Sequence, residues 1–164
     1  MDIDRRIDEI YAELVEIRRE LHENPELSQN EYRTQGKIRD YLDEHGIENF
    51  PCAGTGVVGI IRGKNKGKTV GIRADIDALP IHEKNNVSYS SMNPGVMHAC
   101  GHDAHTAILL GTGKIIKELA DSKDSINGNV KLFFQPAEET IGGAERMVNE
   151  GCMEEPKVDY VLGL

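Results

Sequence analysis

Apolar residues recur at Ile3, Ile7, Ile10, Leu14, Ile17 and Leu21. These steps of three and four trace one helical stripe, so the spacing predicts a helix over 3–23, stopped by Asn24-Pro25. Ser28-Gln29-Asn30-Glu31 has the capping-box pattern and predicts a second helix opening there. That helix runs to about His45, with Gly46 as its C-terminal cap. The period then changes. Residues 56–62 and 69–73 read as strands, and the charged turn between them predicts a hairpin. Residues 82–97 are polar and irregular. A long helix is expected from about 103 to 119, burying Ala107, Ile108, Ile115, Ile116 and Leu119. After the Asn127-Gly128 turn, 130–135 reads as a strand that Pro136 ends. A short helix over 142–150, closed by Gly151, and a last strand over 158–164 complete the pattern.

Helices alternating with strands predict an α/β fold, a three-layer α/β/α sandwich. The strands at 69–73, 130–135 and 158–164 are mixed or apolar, as expected of a sheet covered on both faces. At 164 residues, 38% hydrophobic and 29% charged, the chain can bury a core and is too apolar for a disordered segment. Its size suits one ordinary domain or part of a larger one. Lys and Arg number 19 against 28 Asp and Glu, a formal charge of −9. That balance repels phosphate backbones and argues against nucleic-acid binding. No apolar run approaches the roughly 18 residues of a membrane span, and the polar opening residues lead into no apolar signal segment. Cys52, Cys100 and Cys152 are too few and too scattered for a disulfide framework. The expectation is a soluble, cytoplasmic protein with no membrane partner.

Three clusters carry candidate chemistry, each just after a predicted strand or just before a predicted helix, where open α/β sheets bind ligands. Arg73-Ala74-Asp75-Ile76-Asp77 offers two carboxylates at a strand end. Taken alone, it also fits a plain loop acid pair. His98-Ala99-Cys100-Gly101-His102-Asp103-Ala104-His105 packs three imidazoles, a thiol and a carboxylate into eight residues. Such density suits metal binding, with Cys100 and His102 facing one ion if the backbone turns at Gly101. A structural cysteine beside surface histidines is the plain alternative, and Asp103 suits a helix start. Gln135-Pro136-Ala137-Glu138-Glu139 puts two glutamates beyond a nearly apolar strand. One can ligate a metal while the other accepts a proton from water; a solvated helix start is the alternative. Neither an HExxH motif nor a Gly-rich phosphate loop is present.

At these residues the chain resembles the M20 family of metallo-aminoacylases and peptidases. It looks most like the amidohydrolase branch of hippurate hydrolases, N-acetyldiaminopimelate deacetylases and plant auxin-amino-acid hydrolases. Residues 18–22 with 24–28 are similar to the branch's opening signature. Residues 73–80 resemble its RADxDALP segment, 97–106 its MHACGHDxHT segment, and 135–143 its QPAEExxGGA segment. The resemblance runs along nearly the whole chain. It implies a partial catalytic domain of the metallo-aminopeptidase-like fold and two divalent ions, Mn, Zn or Co. Cys100 (bridging), His102 and Glu139 would be metal ligands, and Glu138 the general base toward the attacking water. Asp75 would be the second catalytic residue, matching the aspartate that sits beside the metal centre in the family's HxD motif, whose histidine is here Arg73; Asp77 would lie outside the ligand set.

The implied reaction is hydrolysis of the amide bond of a small-molecule N-acyl amino acid. Family members are more than twice as long and continue with further histidine ligands and a lid or dimerisation domain. Residues 1–164 are therefore expected to be the N-terminal part of the catalytic domain, with the remainder absent. Two other readings stay open: an inactive fragment serving as a folding or association unit, pairing with itself or with a complementing C-terminal chain, and a cysteine hydrolase with Cys100 as nucleophile.

Overall fold

The computed structural model describes residues 1–123, 125–140 and 142–164. The stripe at the start of the chain forms α1 (Ile3–Glu23), where the Asp2 side chain accepts a hydrogen bond from the Arg5 amide at 3.2 Å. The second helix, α2 (Tyr32–Glu44), begins later than the capping box predicts. Ser28 and Glu31 make no cap: their side chains reach across the molecule to Asp77 and to Thr55 and Ala137. Next come β1 (Glu48–Cys52), β2 (Gly56–Arg62) and β3 (Asn65–Asp75). They are followed by α3 (His102–Asp121), β4 (Asn127–Gln135), α4 (Gly143–Asn149) and β5 (Tyr160–Gly163).

The five strands form one mixed sheet in the order β1-β2-β4-β3-β5. The expected hairpin of 56–62 with 69–73 is absent, because β4 lies between the two strands. It runs antiparallel to β2 and parallel to β3. Strand β4 thus takes the centre, where both of its edges are paired and its second half, Leu132 to Gln135, is buried. The link from β2 to β3 crosses the start of β4, with the Gly63 amide donating to the Gly128 carbonyl at 2.8 Å. A Cβ at Gly63 would lie 2.3 Å from the Ile126 carbonyl oxygen, so only glycine allows that crossing. The sequence pattern does not mark β1 as a strand; its Pro51 is tolerated because β1 is an edge strand.

Alternation along the central strands divides the core in two. Val57, Ile61, Leu132 and Phe134 pack with Ile38 and Leu42 of α2 and Leu109 and Leu110 of α3. Val58, Ile60 and Phe133 pack on the other face with Met147 of α4, Cys52 and Cys152. The result is the expected α/β/α layering. Helix α1 lies against α3: a Cβ at Gly111 would fall 2.6 Å from Leu14, and Arg6 and Glu13 pair with Glu118 and Lys114. The cover is partial. Ile108, expected buried, is exposed, Ile116 and Leu119 are half-buried, and an apolar groove of about 660 Å³ runs between the two helices. The last strand also departs from expectation: all four residues of β5 are exposed, on a free sheet edge. No helix among the described residues is long and apolar enough to cross a membrane.

Candidate metal centre

Strands β3 and β4 are parallel and end together, with Asp75 paired to Gln135, so both acidic clusters emerge at one rim of the sheet. Helix α3 starts at the same rim. Gly101, at φ +91°, takes a left-handed turn that side chains resist, and His102 follows as the first helical residue. Ala137, at φ +50°, ends β4's direction, so Glu138 and Glu139 leave the strand geometry in which they would face opposite ways.

His102 is buried at the centre of this rim. Its Nδ1 lies 2.9 Å from the Asp77 carbonyl oxygen and 3.3 Å from Asp77 Oδ1. Both are acceptors, so Nδ1 carries the hydrogen and Nε2 presents its lone pair to the rim. Nε2 faces Asp75 Oδ1 at 3.5 Å, Glu139 Oε1 at 3.8 Å and Glu138 Oε2 at 3.8 Å. Asp77 also accepts from Ser28 Oγ at 2.6 Å and from the Glu139 amide at 3.1 Å. Burial pushes the Asp77 carboxyl up. The bonds from His102, Ser28 and the glutamate amides outweigh it and hold the carboxyl at about 2. Burial likewise lowers His102, but the bond to Asp77 and the charges of Asp75 and Asp77 leave it raised.

Asp75 is held differently. Its oxygens meet His105 Nδ1 and an Arg73 nitrogen, each at 2.7 Å, and Arg73 is braced by Gln135 at 2.8 Å. Arg73 thus pairs with one oxygen of Asp75 from the same strand, while the other oxygen meets His105 and faces His102 Nε2. Asp103 does not cap α3. It is fully buried and bound by Arg18 Nε and His22 Nδ1, both at 2.7 Å, while His22 Nε2 lies 3.1 Å from Glu83. His98 is buried nearby with neither ring nitrogen partnered among the described residues, and burial pulls its imidazole down to about 4.

Among the described residues two groups of side chains bring ligand atoms within 4.8 Å of one another: Cys100, His102 and Glu139, and Asp75, His102 and His105. The first is the set expected from the sequence. Two ligands at about 2.1 Å from a tetrahedral ion sit roughly 3.4 Å apart, close to the His102–Glu139 spacing. Glu139 Oε1 is buried without a hydrogen-bond partner among the described residues, as a cation ligand would be. Thiolate, imidazole and carboxylate together suit a borderline divalent metal. By contrast, burial and the carboxylates of Glu139, Asp75 and Glu138 raise the Cys100 thiol. That environment opposes a free nucleophilic thiolate, while a cation would reverse it.

The model of peptidase family M20/M25/M40 matches residues 71–164, more than half of the chain. The chain belongs to this family. It is 48% identical over 162 residues to thermostable carboxypeptidase 2 of Saccharolobus solfataricus, covering 96% of this chain and 40% of that protein. It is 46% identical to the N-acyl-L-amino acid amidohydrolase of Geobacillus stearothermophilus, covering 99% of this chain and 43% of that protein. Among solved structures, the Bacillus subtilis YXEP protein, described as a dinuclear metal-binding M20 peptidase, superposes with a TM-score of 0.87. It is 40% identical, over 95% of this chain and 43% of its own. The chain therefore spans about 40% of the length of its M20 relatives.

The sequence alone did not single out Ser28, Glu31 or His22 for this centre. Ser28 and Glu31 lay hidden inside an apparent capping box. With Arg33 two residues on, nothing in the local spacing separates Glu31 from an ordinary solvated helix start.

Proposed function

We propose that residues 1–164 form the metal-binding part of the catalytic domain of an M20 metallo-amidohydrolase that cleaves the amide bond of N-acyl amino acids. The observation that carries this reading is the buried, unpartnered Glu139 Oε1, 3.8 Å from the lone-pair nitrogen of His102 and in one ligand-spaced group with Cys100. Cys100, His102 and Glu139 would hold divalent cations, two in the intact enzyme, with Zn or Co favoured by the thiolate and Mn by the carboxylates. Such ions supply Lewis acidity that activates water and polarises the scissile carbonyl.

Glu138 is the general base. Its carboxylate lies 3.8 Å from His102 Nε2 and its side chain is 39% exposed, so it reaches both the cation position and incoming water. It removes the proton from the attacking water and returns it to the departing amine. Asp77 locks the His102 tautomer, and Asp75, tied to Arg73 and His105, adds a fixed negative charge beside Nε2. An N-acyl amino acid and a carboxypeptidase substrate share an amide whose amine side carries a free carboxylate. The names of the two relatives therefore support one substrate class.

In the metal-loaded protein, Glu138→Gln should lower hydrolysis of N-acetyl or N-benzoyl amino acids by about 10²- to 10⁴-fold at unchanged metal content. Retained turnover removes Glu138 from the role, and a wild-type protein that takes up no Zn, Co or Mn removes the whole reading. The exposed free edge at β5 favours a second reading, an association unit without catalysis. Concentration-dependent self-association without metal uptake or turnover would decide for it.

A further inference from the structure

We propose that the linker between α1 and α2 is the positioning frame of the glutamate pair, with Glu31 fixing the backbone before Glu138 and Ser28 fixing it after. This rests on the roles of Glu138 and Glu139 proposed above. Glu31 is wholly buried and makes no ion pair among the described residues. Its two oxygens accept from Thr55 Oγ1 at 2.5 Å and from the Ala137 amide at 2.9 Å. Burying a carboxylate without a cation is costly, so the bonds that hold it are strong and specific. Ala137 takes a left-handed conformation that alanine adopts only when its surroundings impose it. The Glu31 bond imposes it, together with Gly143, where a Cβ would lie 1.8 Å from the Pro136 carbonyl oxygen.

On the far side of Glu138, the Glu139 amide donates to Asp77 Oδ2, the oxygen that also accepts from Ser28 Oγ. The linker is itself docked beside the site: the Ala78 amide donates to the Glu26 carbonyl at 2.8 Å, and Leu27 bridges Ala78. Both ties on the glutamate backbone therefore lead back to residues 26–31. Glu31 and Ser28 are positioning residues, acting only through Ala137 and Asp77.

The test compares the wild-type chain with Glu31→Ala, Glu31→Gln and Ser28→Ala. It reads amide hydrogen exchange at Ala137 and Glu139 and the visible spectrum during Co²⁺ titration. Glu31→Ala should speed exchange at Ala137 about tenfold or more while Leu132 in β4 stays protected. It should also weaken Co²⁺ binding by about 10- to 100-fold. Glu31→Gln keeps an acceptor for Ala137 and should restore both within a few-fold. Ser28→Ala should weaken Co²⁺ binding without changing Ala137 exchange. Wild-type exchange and affinity in Glu31→Ala, or a uniform rise in exchange that Glu31→Gln does not rescue, overturns the proposal. If the wild type takes up no cobalt, the metal reading fails, and Ala137 exchange still decides the role of Glu31. Should Glu31→Ala not fold, Thr55→Val frees one side of the carboxylate; it should raise Ala137 exchange several-fold, and unchanged exchange overturns the proposal.

Discussion

His98 sets an acid limit on this domain. It is buried, with both ring nitrogens unpartnered, and burial, opposed by the charge of Asp103, holds its imidazole at about 4. The unfolded chain titrates near the ordinary value of about 6.5. The folded value is depressed, so the stability it contributes is complete above about pH 6.5 and is lost as pH falls through about 4. The difference of about 2.5 units, at 1.36 kcal/mol each, amounts to about 3 kcal/mol, a large share of the 5–15 kcal/mol typical of a domain. Neighbouring groups titrate elsewhere. Asp77, held at about 2, loses its contribution below its ordinary value of 3.8. His102 is raised, so its contribution is complete below about 6.5 and lost as pH rises beyond it. Urea denaturation of the wild type and His98→Asn, with chelator present from pH 4 to 7.5, isolates the term by subtraction. The wild type should lose about 3 kcal/mol more than the variant between pH 7 and 4. Parallel stability curves would show that His98 is protonated in the folded protein and refute the argument.

Two further predictions test the centre and the fold that carries it. Cys100→Ser removes the soft donor; the thiolate charge-transfer band of the Co²⁺ complex should vanish and the preference for Zn or Co over Mn should fall about tenfold or more in competition titrations. An unchanged preference means that Cys100 is not a ligand. Leu132→Ala, at a wholly buried position of the central strand, should cost about 2–5 kcal/mol and lower the melting temperature by several degrees. A loss below 1 kcal/mol is incompatible with β4 at the centre of the sheet.

The sequence made the layers legible because the apolar periods of α1, α3 and β4 are long and regular. What it hid was set by distant partners. The order β1-β2-β4-β3-β5 places β4 between two strands that precede it, a pairing between distant segments that no local pattern encodes. Ser28 and Glu31 carry the local spacing of a capping box, but bonds to Thr55, Asp77 and Ala137 override it. Ile108 follows the stripe of α3, yet its exposure depends on how far α1 reaches across that helix. The residue types of the centre were legible from their density. Their division of labour was not, because a linear spacing of two does not say which nitrogen of His102 each aspartate meets.

That division explains why the centre suits a cation. Asp75 and Asp77, two apart at the end of β3, meet the same imidazole from opposite sides. The Asp77 carbonyl can only accept, which forces the His102 hydrogen onto Nδ1 and turns a lone pair toward Asp75, Glu138 and Glu139. Three carboxylates facing one lone pair in a largely buried rim repel it and one another. Arg73 and His105 offset Asp75 alone, and a positive species between the three would relieve the rest. A proton on Nε2 supplies one charge; against the pull of burial, the bond to Asp77 and the charges of Asp75 and Asp77 raise the basicity of His102. A divalent ion would supply two, and under the proposed ligand set it would also give the Glu139 oxygen a partner and stabilise Cys100 as thiolate. Metal and proton therefore compete for the same nitrogen, and metal affinity must fall as the solution is acidified.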